Sequence, residues 1–151
     1  MDMECWAECD RMPFFLALEQ EIVKAEIEGK SIMIEMDANS KLGPKLIPGD
    51  MHEQSKNGRV FADIIERHGL IRGNAMEKCE GLVTRKRVTR SGVEESIIDF
   101  VIISNDLIDD IESIKIDDKR EFVLTNIRKN KDGVRKTESD HKTIFRRIKF
   151  E

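Results

Sequence analysis

One carboxylate interrupts an otherwise apolar run, Ile97-Ile98-Asp99-Phe100-Val101-Ile102-Ile103. Branched and aromatic residues at this density predict a β-strand. An ionised carboxylate inside such a strand is costly to bury unless it is paired. The chain must therefore bring Asp99 a partner from elsewhere, and a histidine is the natural one.

Two further polar clusters lie at the ends of predicted strands. Ser31 to Met36 alternates, with Ile32, Ile34 and Met36 on one side, and breaks at Asp37, with Asn39 two residues on. Ser139-Asp140-His141 opens a last strand over Thr143 to Phe150. Asp140 offers the oxygen ligand that magnesium prefers, and magnesium keeps waters for chemistry. His141, if protonated through contact with Asp99, stabilises charge developing on a phosphoryl oxygen. Asp37 is suited to orient or deprotonate an attacking water, and the Asn39 amide to donate to the phosphate. Together these are parts of a metal-assisted phosphate-ester hydrolysis.

The 151 residues, 39% of them hydrophobic, suffice for one core, so a single unit over 1–151 is expected. A formal charge of −4 gives no overall basic excess for non-specific nucleic-acid binding, so any such binding must come from local patches. No apolar run approaches the ~20 residues of a membrane span, and Met1 to Asp10 is acidic rather than a basic secretory start. The expectation is an intracellular protein, nuclear or cytoplasmic, without membrane attachment. Cys5, Cys9 and Cys79 are an odd set without disulfide or zinc-knuckle spacing and read as reduced thiols.

Asp10 before Pro13 marks a helix start, and Phe15, Leu18, Ile22 and Ala25 share a face until Gly29, which predicts a helix over Pro13 to Glu28. Lys41 to Ser55 reads as a long loop, a segment type that is often functional. Asn57 is placed to cap a second helix, Asn57 to His68, with Val60, Phe61, Ile64 and Ile65 inward and Gly69 at its close. His68 is then a helix-end residue, not a ligand. Leu82 to Arg90 and Glu95 to Ser104 predict a hairpin turning at Ser91-Gly92. A short helix over Asp106 to Ile111, strands at Ser113 to Ile116 and Glu121 to Asn126, and a charged loop from Arg128 to Glu138 complete the chain.

Met36-Asp37-Ala38-Asn39-Ser40-Lys41-Leu42-Gly43 resembles the Gly-Asp-x-Asn loop of the endonuclease/exonuclease/phosphatase superfamily. Ser96-Ile97-Ile98-Asp99-Phe100-Val101-Ile102 resembles its Ser-x-Ile-Asp-Tyr strand, and Ser139-Asp140-His141 matches its terminal motif. Order and separation agree, with Asn57-Gly58 and Thr84 in the expected places. By flavour the chain is most similar to the abasic-endonuclease-like endonuclease domains of non-LTR retroelements. The resemblance runs from Phe14 to Phe150 and covers only the later half of the family's domain. The family's early asparagine, its metal-binding glutamate and its active-site tyrosine lie upstream of that half, and this sequence contains no tyrosine. Met36 replaces the usual loop glycine, and Ala38 the usual aromatic.

The resemblance implies an α+β fold, half of a four-layer α/β/β/α sandwich of DNase I type, mainly antiparallel with flanking helices. It implies magnesium- or manganese-dependent phosphodiester hydrolysis on nucleic acid, DNA over RNA, incomplete or inactive without the family's first half, with Asp37, Asn39, Asp99 and His141 catalytic and Asp140 on the metal. A single carboxylate should bind the ion weakly in the isolated chain. The other readings are a non-catalytic remnant or interaction module, and a phosphatase on a small phosphoester. Arg85, Arg87 and Arg90 are candidates for gripping a nucleic-acid backbone, against the alternative of ordinary exposed hairpin charge. A calcium loop is excluded because Leu42 and Pro48 stand where an EF-hand needs glycine and glutamate. Gly29-Lys30-Ser31 lacks the earlier P-loop glycine and is a turn. Half a sandwich should also leave apolar surface around Ile32, Ile34, Ile97, Val101, Ile103 and Ile144. A homodimer, or a separate chain carrying the first half, would cover it.

Overall fold

A computed structural model describes residues 11–123 and 125–149. Asp10, Cys5 and Cys9 fall outside them. Cys79 is a free, half-buried thiol.

Helix α1 spans Met12–Ile27, with proline in its first turn and Phe15 and Ile22 buried. Helix α2 spans Lys56–Arg67 and buries Phe61, Ala62, Ile64 and Ile65. Its cap is Ser55 rather than the expected Asn57: the Ser55 hydroxyl accepts from the Gly58 N–H at 3.1 Å, and Asn57 is itself buried inside the helix. A serine oxygen on an extended residue reaches the N-terminal donors of the helix, which a residue already in helical conformation does not. His68 forms the C-cap, and Gly69 follows with φ +59°.

Strand β1 (Met33–Asp37) pairs antiparallel with β6 (Asp99–Ile103), and β6 also pairs with the short β2 (Ile71–Arg72). Phe100 and Ile102 of β6 join the helices in one core cluster, where the rings of Phe15, Phe61 and Phe100 follow one another at centroid separations of 5.5 and 6.0 Å. Val101 and Ile103 point the other way, into a second cluster with Ile111 and Ile114. These last two belong to β7 (Ile111–Ile116), the centre of another sheet, flanked by antiparallel β10 (Ile144–Ile148) and parallel β3 (Cys79–Glu80). A strand covered on both faces has no polar side to show, which is why the run around Asp99 lacks alternation. Truncating a fully buried phenylalanine such as Phe61 or Phe100 costs about 3–5 kcal/mol.

Besides the Ser55 cap, the structure differs from the sequence reading in five places. The strand expected over Glu121 to Asn126 starts only at Thr125, with Glu121 to Val123 irregular. The segment expected as one strand, Glu95 to Ser104, is two: β5 (Gly92–Ser96) pairs with β4 (Arg85–Thr89) as a hairpin, and the chain leaves through Ile97-Ile98 into β6 in another sheet. The charged stretch from Arg128 to Glu138 is not a loop but most of a second hairpin, β8 (Thr125–Asn130) with β9 (Gly133–Glu138). Asp106 to Ile111 is a 3₁₀ turn, Asn105–Leu107, followed by the start of β7. Finally, Ile32, Ile97, Val101 and Ile103 are buried and Ile34 and Ile144 half-buried, so the expected apolar face is not open there. The helices cover Ile32, Ile34 and Ile97, and the chain's own second sheet covers Val101 and Ile103. No helix among the described residues is long and apolar enough to cross a membrane.

Candidate functional site

The antiparallel register of β1 and β6 makes Asp37 the direct partner of Asp99. Like charges opposite one another destabilise a sheet unless something comes between them. His141 does so: its Nδ1 lies 3.0 Å from both carboxylate oxygens of Asp99, and its Nε2 lies 3.8 Å from Asp37 Oδ2. Asp140 Oδ1 is 3.7 Å from the same Nε2. Asp37, Asp99, Asp140 and His141, scattered in the sequence, thus meet around one imidazole.

Each member is fixed by a local reason. The Asn39 N–H donates to Asp37 Oδ1 at 2.8 Å, closing a turn in which Asn39 sits at φ +44°, a conformation asparagine tolerates better than most residues. Ala38 is wholly buried, its N–H donating to Ile98 O and its carbonyl accepting from Arg11 Nη1. The far end of the loop is pinned by Ser55, whose hydroxyl accepts from the Lys41 N–H at 3.0 Å. Gly58 lets the helix approach: a Cβ there would stand 1.8 Å from the Lys41 carbonyl oxygen.

Thr84 joins the other parts. Its buried hydroxyl accepts from the N–H groups of Ile98 and Asp99 at 3.0 and 3.1 Å, and its carbonyl accepts from the Lys142 N–H. The Lys86 N–H donates to Asp140 O, so β4 holds the Ser-Asp-His turn by its backbone. Asn74 is a positioning residue that the sequence did not single out. Its buried amide donates to Asp99 O at 3.0 Å and accepts from the Val101 N–H at 2.9 Å. A Gly-Asn pair between apolar segments was the available signal, and it reads equally well as an ordinary turn.

Burial pushes the Asp99 carboxyl above its usual range, a shift that His141 and the Thr84 hydroxyl oppose but do not cancel. Partial burial also pushes Asp140 upward, but the hydrogen bond and charge of Arg85 outweigh it and hold Asp140 below the usual range. Arg85 Nε lies 2.8 Å from Asp140 Oδ2. Arg85, expected to face a nucleic-acid backbone, is therefore engaged by the site itself. Arg87 and Arg90 remain exposed on the hairpin. Arg87 lines a cavity of about 410 Å³ together with Asn39, Lys41, His52 and Arg85.

Among the described residues, ligand atoms of Asp37, Asp99 and His141 all lie within 4.8 Å of one another. Asp99 and His141, however, spend their facing atoms on each other. The free hard oxygens are Asp37 Oδ2 and Asp140 Oδ1, each within 4 Å of Nε2. One or two carboxylates, completed by waters and substrate phosphate, are the usual protein contribution to a magnesium site. Asp140 stands outside that close group, and Arg85 holds its Oδ2, which fits no more than a weak single-carboxylate site.

No protein-family model matches the chain, and no curated protein matches it. Among solved structures it is similar to the endonuclease domain of TRAS1, a telomere-specific non-LTR retrotransposon, with a TM-score of 0.59 and 18% identity. The match covers 91% of this chain and 52% of that one, so the chain spans about half the length of the TRAS1 domain. The likeness is one of fold, and it is the retroelement endonuclease fold that the three sequence motifs resemble.

Proposed function

We propose that the cluster around His141 hydrolyses phosphodiester bonds in nucleic acid, DNA rather than RNA, with magnesium or manganese. The observation that carries this reading is the Asp99–His141 pair, whose imidazole presents Nε2 to two further carboxylates. We read the two sheets and their helices as half of a four-layer sandwich, in keeping with the share of the TRAS1 domain that is matched.

Asp99 orients the imidazole through Nδ1, leaving Nε2 to face a phosphoryl oxygen as charge develops there. Asp37, with Oδ1 held by the Asn39 N–H, keeps Oδ2 free to orient a water or take its proton. Asn39 lines the cavity, and its side-chain amide would donate to a substrate phosphate. Asp140 would hold the metal, which would supply Lewis-acid stabilisation of the phosphoryl oxygens. Arg85 keeps Asp140 ionised for that role.

The test is nicking of supercoiled plasmid with magnesium or manganese by the wild-type chain and by Asp99→Asn, His141→Ala and Asp140→Ala. Nicking by the wild type and its loss in all three variants is the expected result. Nicking that survives in all three would come from something other than this cluster. DNA binding with no cleavage in any metal would favour a non-catalytic interaction module.

A further inference from the structure

The two hairpins carry their charge differently. On β4 and β5, Arg87 stands across from Glu94 and Lys86 across from Glu95, with Lys86 Nζ 3.4 Å from Glu95 Oε1. Arg85 is taken by Asp140. On β8 and β9, five cations, Arg128, Lys129, Lys131, Arg135 and Lys136, face only two acids, Asp132 and Glu138. That is an excess of three positive charges within fourteen residues of a chain whose total is −4. The lysine and arginine ion pairs among the described residues all lie elsewhere.

Arg128 is the register partner of Arg135. Like charges directly opposite weaken an antiparallel pair, so the fold does not explain the choice. Charge on an open two-stranded ribbon does discourage pairing with other strands, but either sign achieves that and neither requires arginine opposite arginine. A ligand with closely spaced anions does give a reason, since a planar guanidinium matches phosphate oxygens two at a time.

The hairpin is rooted at the site. β9 ends at Glu138, immediately before Ser139-Asp140-His141. Ahead of β8, the Phe122 ring packs edge-on against Phe145 of β10 at 5.1 Å, and Thr143 Oγ1 donates to Phe122 O at 3.1 Å. Arg120 Nη2 donates to Ser139 O. Both ends of the ribbon are thus tied to the segment that carries Asp140 and His141. A strand of six residues extends ~20 Å, the length of about six base pairs of duplex.

We infer that the β8–β9 hairpin is an arm that lies along the phosphate backbone of duplex DNA beside the reacting bond, with Arg128 and Arg135 gripping phosphates. The choice of DNA as the polyanion rests on the phosphodiesterase function proposed for the cluster. The arm acts through charge alone, so it contributes affinity without sequence preference.

The experiment is equilibrium binding of the full chain to a fluorescent DNA duplex about two helical turns long, without divalent metal, followed by anisotropy across a salt series. Neutralising both arginines (R128Q with R135Q) should weaken binding at least tenfold at low salt. It should also reduce the slope of log K against log salt by about 0.9 for each phosphate that is no longer neutralised, close to two in all. A matched pair on the helical side, K24Q with K30Q, should leave the slope unchanged, and circular dichroism should show all variants folded. No measurable wild-type binding, a wild-type slope in the arginine variant, or an equal loss in the lysine pair would each overturn the arm. Plasmid nicking separates this result from the catalytic one. Loss of binding in R128Q/R135Q beside a wild type that never nicks leaves the arm standing without the enzyme, and nicking with unaltered binding leaves the enzyme without the arm.

Discussion

Asp37 and Asp99 are register partners across β1 and β6, and the imidazole of His141 stands between their carboxylates, 3.0 Å from one and 3.8 Å from the other. The two acids are not equivalent. Asp99 has 15% of its side chain exposed and both oxygens on His141, whereas Asp37 has 48% exposed and one oxygen free of the loop. The inner acid is suited to orienting the imidazole, and the outer one to meeting water.

Asp99→Asn preserves shape while removing the charge that orients the His141 imidazole, and it should lower nicking by about 10²-fold or more. In the wild type, activity should fall on the acid side as Asp99 takes up its proton, at a pH above the usual 3.8 because burial raises its pKa. The same shift has a sign for stability: the contribution of Asp99 is fully present below 3.8 and is lost as pH rises through its raised native value. Asp99→Asn should therefore melt no lower than wild type at neutral pH. A thermal melt beside a pH–rate profile checks both.

Thr84→Val leaves the N–H groups of Ile98 and Asp99 without their acceptor. Two buried donors without partners cost about 2–4 kcal/mol, measurable by urea titration. Thr84→Ser keeps the oxygen and should recover most of the stability and the nicking rate.

Gly58→Ala should cost about 1–3 kcal/mol, because the new methyl meets backbone rather than a yielding side-chain tip. The Lys41 carbonyl must retreat, and the loop bearing Asn39 moves with it. Arg59→Ala, an exposed neighbour on the same helix, should change neither melting temperature nor nicking.

His68 joins the two helices, with Nε2 2.9 Å from Glu19 and Nδ1 3.0 Å from Glu26. Burial lowers its pKa, but the two carboxylates outweigh burial and raise it above 6.5. A raised histidine stabilises the fold fully below pH 6.5 and loses that contribution as pH rises through its native value. The melting temperature should drop across that window. His68→Gln should flatten the drop.

Much of the site is legible in the sequence because its chemistry is written in local contrasts. A carboxylate in an apolar strand needs a partner wherever the chain goes, and Asp37 and Asp140-His141 sit where apolar runs begin or end. The resemblance of three ordered motifs added the fold and the roles proposed for these residues. Sequence patterning could not decide what depends on distant backbone meeting distant backbone. Glu95 to Ser104 has one continuous β-propensity, yet it crosses between sheets because the Thr84 hydroxyl takes up the N–H groups of Ile98 and Asp99 at the junction. Arg85 reads as a surface charge until the Ser-Asp-His turn docks on β4 and supplies Asp140. The stretch from Arg128 to Glu138 is too charged to reveal a strand by apolar alternation, and only the cross-strand hydrogen bonds of β8 and β9 define it. Local composition thus determined which groups needed partners, and the tertiary fold, through register and hydrogen bonds between segments far apart in sequence, decided which partners they found.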